Sequence, residues 1–176
     1  MLKQFIPDQY VQSVYDISIE ELKEKGVKGI ITDLDNTLVE WDRAEATKEL
    51  TAWFKKLRDH DFQIVIVSNN NEARVKKFAS PHNITFIYRA RKPSSRAFKT
   101  ACNLMNLKRE ETVVVGDQLL TDILGGNRGG FQTILVVPVA ENDGFFTKFN
   151  RRIERRVFQA MKRKGLIEWE KSDGSS

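Results

Sequence analysis

Short apolar runs rich in β-branched residues alternate along this chain with longer stretches in which apolar positions recur every three or four residues. The runs are Gly29–Thr32, Gln63–Val67 and residues 85–88, 112–115 and 133–137. Each has the length of a strand and little polar character, as expected of strands covered on both faces. Between them, residues 44–60 carry Leu50, Trp53, Phe54 and Leu57 at helical spacing, and residues 94–105 present Phe98, Ala101, Cys102 and Met105 on one face. Residues 71–79 read as a shorter helix that Ser80-Pro81 stops. Residues 119–124 read as a short helix closed by Gly125-Gly126, with the glycine-rich run to Gly130 as C-cap and turn. Strands alternating with helices of this length predict an α/β fold: one parallel sheet of about five strands with helices on both sides.

Length and composition bound this picture. At 176 residues, 40% hydrophobic and 30% charged, the chain suits one domain with a real core at about residues 26–140. The N-terminal apolar run is too short for a secretory signal, and no stretch reaches membrane-spanning length. A single cysteine, Cys102, excludes an internal disulfide and a cysteine zinc cluster, so the expectation is a reducing, cytoplasmic setting. His60 and His82 fall in loops without partners at metal-ligand spacing. The net charge of +5 is uneven: residues 145–164 hold eight basic side chains against Glu154 alone, a local +7 that leaves −2 on the remainder.

The chemistry stands where strands end. Asp33-Leu34-Asp35-Asn36-Thr37 follows the first run, Ser68-Asn69 the second, and Gly116-Asp117 with Asp122 the fourth, while Lys92-Pro93 follows the third. In a parallel sheet these loops gather at one edge, where open α/β sheets bind ligands. Taken singly, each piece is a common turn or cap. Jointly they make a phosphate site. Asp33 can attack phosphorus, and Asp35 can protonate the leaving group and then activate water. Lys92 and Mg²⁺ neutralise charge, Asp33 and Asp117 supply oxygen ligands with a backbone carbonyl near Asp35, and Ser68 and the amide of Asn69 hold phosphoryl oxygens.

Asp33-Leu34-Asp35-Asn36-Thr37-Leu38, Ser68, Lys92-Pro93 and the string from Gly116 to Asp122 resemble the four signature motifs of the haloacid dehalogenase (HAD) superfamily, over roughly residues 29–137. The resemblance implies a three-layer Rossmann-like core, with Asp33 as phosphorylated nucleophile and Asp35 as general acid and base. It implies that Thr37 supports the loop and the phosphate site, that Ser68 and Lys92 hold the phosphoryl group, that Asp117 ligates Mg²⁺, and that Asp122 stands behind the ligands. An aspartate two residues after the nucleophile implies phosphatase or phosphotransferase chemistry. More narrowly, the Asp-Leu-Asp-Asn-Thr-Leu, Val-Ser-Asn-Asn and Arg-Lys-Pro strings are similar to those of subfamily IIIA phosphatases of the YqeG type, which are akin to phosphatidylglycerophosphate phosphatases.

The spacing between motifs leaves no room for a large cap domain, so the site is expected to be open and to suit phosphates on large bodies. Phe146, Phe149, Ile153, Val157 and Ala160 form an apolar stripe in the basic segment. That stripe either lies in an anionic membrane interface or packs on the core under a solvated basic face. Two function classes therefore stand beside a phosphatidylglycerophosphate phosphatase: a soluble phosphatase for a sugar, nucleotide or phosphoprotein, and a non-enzymatic module binding RNA or protein. Glu40, Trp41 and Asp42 follow the catalytic loop within reach of substrate but read more readily as a surface loop, and residues 171–176 read as a frayed tail.

Overall fold

The computed structural model describes residues 2–140 and 145–166, without the side chains of 145–150; the predicted frayed tail lies outside the described residues. Six parallel strands form one sheet in the order β1-β6-β5-β2-β3-β4, where β1 is Gln9–Val11, β2 Gly29–Thr32, β3 Gln63–Val67, β4 Thr85–Ile87, β5 Thr112–Gly116 and β6 Gln132–Val136. The helices are α1 (Ile19–Glu24), α2 (Lys48–Asp59), α3 (Glu72–Ala79), α4 (Arg96–Leu104), α5 (Leu124–Arg128) and α6 (Phe145–Arg163).

The alternation of each strand divides the core. Ile30, Ile66, Val113, Val115, Ile134 and Val136 pack with α1, α2 and α3 on one side. Ile31, Val65, Val67 and Val114 pack with α4 on the other, so helices cover both faces and the sheet is the middle of three layers. Side-chain caps set the starts of three helices: Ser18 accepts from the Glu21 amide at α1, Thr47 from the Leu50 amide at α2, and Asn71 from the Arg74 amide at α3. The two segments where a cap domain would be inserted carry α2 in one case, and α3, a 3₁₀ turn at Ser80–His82 and β4 in the other. Among the described residues no helix is long and apolar enough to cross a membrane.

Three details differ from the expectation. The sheet has a sixth strand, β1, which pairs with β6 from Gln9 opposite Ile134 to Val11 opposite Val136. Asp8 fixes that edge by exchanging hydrogen bonds with the Thr133 backbone. Gly125 and Gly126 do not close a helix. They lie buried inside α5, because a Cβ on Gly125 would stand 2.7 Å from the Phe98 ring and one on Gly126 2.7 Å from the Thr133 methyl. Residues 119–123 form a wide π-type turn that runs straight into α5.

The third difference is the register of the basic segment. The packed face of α6 is Glu154, Val157, Phe158 and Met161, which shares Val157 with the predicted stripe and is otherwise displaced from it; the side chains of Phe146 and Phe149 lie outside the described residues. Met161 and its neighbours pack on Leu119, Ile123 and Leu135, with Leu2, Phe5 and Ile6 alongside. Arg152, Arg155, Arg156, Lys162, Arg163 and Lys164 point outward and are exposed.

Candidate active site

Adjacent strands β5, β2, β3 and β4 end at one edge, and their loops bring the motif residues together. Asp33 follows β2 directly, with its amide bonded to the Val115 carbonyl of β5. Ser68 follows β3, with its amide on Ile87 of β4, and its carbonyl receives the Ala90 amide from the next loop. Asn69 then clamps that loop from both sides: its Oδ1 accepts from the Lys92 amide at 2.8 Å and its Nδ2 donates to the Lys92 carbonyl at 3.3 Å. The Lys92 side chain is thereby delivered to the centre.

There it is buried between two carboxylates, 3.0 Å from Asp33 Oδ1 and 2.6 Å from Asp122 Oδ1. Burial alone would push the Lys92 ammonium down, but Asp122 and Asp33 outweigh it and hold it well above its ordinary value, so it stays charged. Asp122 also accepts from the Gln118 amide at 3.2 Å. Gly116 makes room for it, since a Cβ there would stand 2.2 Å from the Asp122 carboxyl carbon. Asp117 is buried too, held by the Thr37 hydroxyl at 2.9 Å on Oδ1 and by Arg151 on Oδ2.

Burial pushes Asp33 up from the ordinary carboxylate range against the pull of Lys92, and pushes Asp117 up strongly, with Asp33 and Asp122 adding to the shift. Asp33, Asp117 and Asp122 each offer an oxygen within 4.8 Å of the others. Three carboxylates face two cations, Lys92 and Arg151, so the cluster retains a negative excess. A hard divalent cation is the chemistry that such a buried all-oxygen set accommodates.

Asp35 stands apart. It is only part-buried, and it accepts from Arg74 Nε at 3.1 Å and Nη2 at 3.0 Å on Oδ1 and from Asn70 Nδ2 at 2.9 Å on Oδ2. Burial raises its pKa, opposed by the Asn70 hydrogen bond and the Arg74 charge. Asp33, Asp35, Ser68, Asn69 and Lys92 line one cavity of about 250 Å³, together with Asn36, Trp41, Asn70, Gln118 and Thr121. Thr37 is the exception among the expected phosphate contacts: its hydroxyl is spent on Asp117 and does not line the cavity.

Five participants are not among the expected site residues. Trp41, which by sequence reads more readily as a surface-loop residue than as a substrate contact, lines the cavity while 48% exposed, as a rim residue would be. Asn70 and Arg74 meet Asp35 across 35 and 39 residues of chain, a pairing without local signature. Arg151 and Glu154 reach in from α6: Arg151 Nη1 donates to the Asp117 carbonyl at 2.8 Å and to Glu154 at 3.3 Å, and Glu154 accepts from the Leu120 amide at 3.4 Å. The signal for that pair was the lone acid inside the basic run.

Comparison with known proteins settles the family. A family model described as HAD-hydrolase-like matches residues 89–138. The chain is 60% identical to a Bacillus subtilis protein named "Probable phosphatase YqeG", over 97% of this chain and 99% of that one. It belongs to the YqeG family of HAD-type phosphatases. It is also 30% identical to the chloroplastic and mitochondrial phosphatidylglycerophosphate phosphatase 1 of Arabidopsis thaliana, over 93% of this chain and 50% of that one. In fold it resembles the cobalt-bound deoxy-D-mannose-octulosonate 8-phosphate phosphatase of Haemophilus influenzae, with a TM-score of 0.52 at 16% identity over 84% of this chain and 96% of that one. The fold class expected from the motifs, a Rossmann-like core without a large cap, is thus borne out.

Proposed function

We propose that this phosphatase works through a phosphorylated Asp33 and that its substrate is phosphatidylglycerophosphate, presented by an anionic membrane. The observation that carries the reading is the pairing of Asp33 with Lys92 at 3.0 Å on the cavity floor while Asp35 stands free of that pair on the wall. Asp33 Oδ attacks phosphorus and the ester P–O bond breaks, with the proton of Asp35 passing to the departing oxygen. Asp35, now a carboxylate, takes a proton from water as that water attacks the acyl phosphate, which frees phosphate and restores Asp33. Lys92 and Ser68 hold phosphoryl oxygens throughout. Asp33, Asp117 and the Asp35 carbonyl would hold Mg²⁺ with Asp122 behind them, and the bound ion would offset the charge of the phosphoryl group.

Three features support the lipid substrate. One is the similarity to the plant enzyme whose name states that substrate. The second is a cavity without a cap, which a substrate on a large body can close for itself. The third is the outward basic face of α6 beside the site, complementary to an anionic leaflet on the cytoplasmic side of the membrane.

The test is Mg²⁺-dependent phosphate release from phosphatidylglycerophosphate in anionic vesicles, run against soluble phosphomonoesters with Asp33→Asn as the blank. Preference for the vesicle substrate, lost in the blank, supports the proposal. Turnover of soluble esters alone discards the lipid and keeps the chemistry.

A further inference from the structure

We infer that Arg74 is the positioning residue for leaving-group protonation, and that it ties Asp35 to the loop at the mouth of the cavity. The inference rests on the reading of Asp35 as general acid given above.

Arg74 sits in the first turn of α3, where the Asn71 cap fixes its backbone, and its guanidinium lies 6.0 Å from the centre of the Phe78 ring one turn on. From there it addresses two targets at once. Nε and Nη2 both reach Asp35 Oδ1, while Nη1 donates to the Arg43 carbonyl at 2.6 Å and Nη2 approaches the Glu40 carbonyl at 3.4 Å. The loop spanned by those two carbonyls carries Trp41, which lines the cavity. One planar cation therefore sets the carboxyl that must meet the leaving oxygen and the loop past which the leaving group must lie. A lysine, with a single point of charge, could not make this fork.

The energetics give the pair a direction. As the proton leaves Asp35 for the ester oxygen, negative charge develops on the carboxylate that faces Arg74. An interaction that strengthens along a step lowers its barrier, whereas one equally strong at both ends does not. Asn70 donates to the other oxygen, so Asp35 is oriented at both ends as its proton is given up. Lys92 pairs with Asp33 and Asp122, so phosphoryl binding is assigned to the floor of the site.

The effect must then depend on the leaving group. A poorly basic aryloxide needs little protonation, and an alkoxide needs it fully. The experiment measures kcat/KM, which reports the step that forms the phosphoenzyme, for 4-nitrophenyl phosphate, glycerol 3-phosphate and phosphatidylglycerophosphate vesicles with Arg74→Ala and Arg74→Lys. We expect Arg74→Ala to lose about 100-fold more on the alkyl esters than on the aryl ester, within the range of general acid catalysis. Arg74→Lys should recover part of that difference, and it decides the matter if Arg74→Ala does not fold. Equal losses on aryl and alkyl esters would make Arg74 merely structural and overturn the inference. A wild-type protein inactive on every phosphomonoester would instead overturn the reading of the site itself.

Discussion

The floor and the wall of the cavity are built on opposite electrostatic terms. Asp33 and Lys92 on the floor, with Asp117 and Asp122 behind them, are buried, each carboxylate shares a cation or a neighbour's charge, and the set keeps a negative excess. On the wall Asp35 is part-exposed and satisfied by Arg74 and Asn70. Burial makes charge on the floor expensive unless it is matched, which is what a phosphate and a divalent cation arriving together would do. Asp35 on the wall is reached by solvent and held by Arg74 and Asn70, a setting in which a carboxyl can exchange a proton. In the proposed mechanism the buried groups would serve the part of the reaction common to every phosphomonoester, and the half-exposed ones the part that differs between substrates.

The largest expected break in this contrast is Asp33→Asn, which removes the nucleophile and should lower kcat by about 10⁴-fold or more on every ester. Uniform loss across leaving groups, read by phosphate release, is the signature of a floor residue. Lys92→Met should cost about 10²–10³-fold in activity by removing one preorganised charge. It should also cost about 3–5 kcal/mol of stability in metal-free buffer, because Asp33 and Asp122 lose their buried partner. Chemical denaturation with and without Mg²⁺ checks this, and added Mg²⁺ should stabilise the variant more than the wild type.

A smaller effect tests the floor through pH. Because the folded pKa of Asp117 lies above its unfolded value, its favourable contribution is present below the ordinary carboxylate range and is lost as pH rises through the raised value. In chelator, Asp117→Asn should therefore melt a few degrees above wild type near about pH 8, where about 1 kcal/mol moves a domain of this size by that much. The gap should close as pH falls toward about 4. A wild type that melts higher at alkaline pH would mean that Arg151 and Thr37 outweigh burial. The smallest effect lies outside both halves of the site. Reversing Arg155, Arg156 and Arg163 to Glu should weaken sedimentation with anionic vesicles by about 1 kcal/mol per site at low salt, with turnover of a soluble ester left near that of wild type.

How much of this was legible beforehand follows from range. The strands and the loop residues behind them could be read because β-branched runs and strand-end carboxylates are local patterns. Asp33, Ser68, Lys92, Asp117 and Asp122 meet where adjacent strands of a parallel sheet predict that they should. Strand β1 was hidden because Gln9, Tyr10 and Val11 make three residues of weak periodicity at a sheet edge. Gly125 and Gly126 misled because a glycine required by a close helix–sheet approach looks in sequence like a helix stop. Arg74 and Arg151 could not be placed, since each reaches a site carboxylate, Asp35 or Asp117, more than thirty residues away. Within α6, Glu154 marked the inward face, while the apolar spacing caught Val157 and missed Phe158 and Met161.

The central claim is a covalent one, and it is tested most directly by acid-quenching the enzyme during turnover of a phosphomonoester with Mg²⁺, reducing any acyl phosphate with borohydride, and mapping the modified residue by mass spectrometry. The account predicts homoserine at position 33, absent without substrate or without Mg²⁺. An enzyme that releases phosphate while Asp33 is never trapped, or that is trapped at another carboxylate, would contradict it.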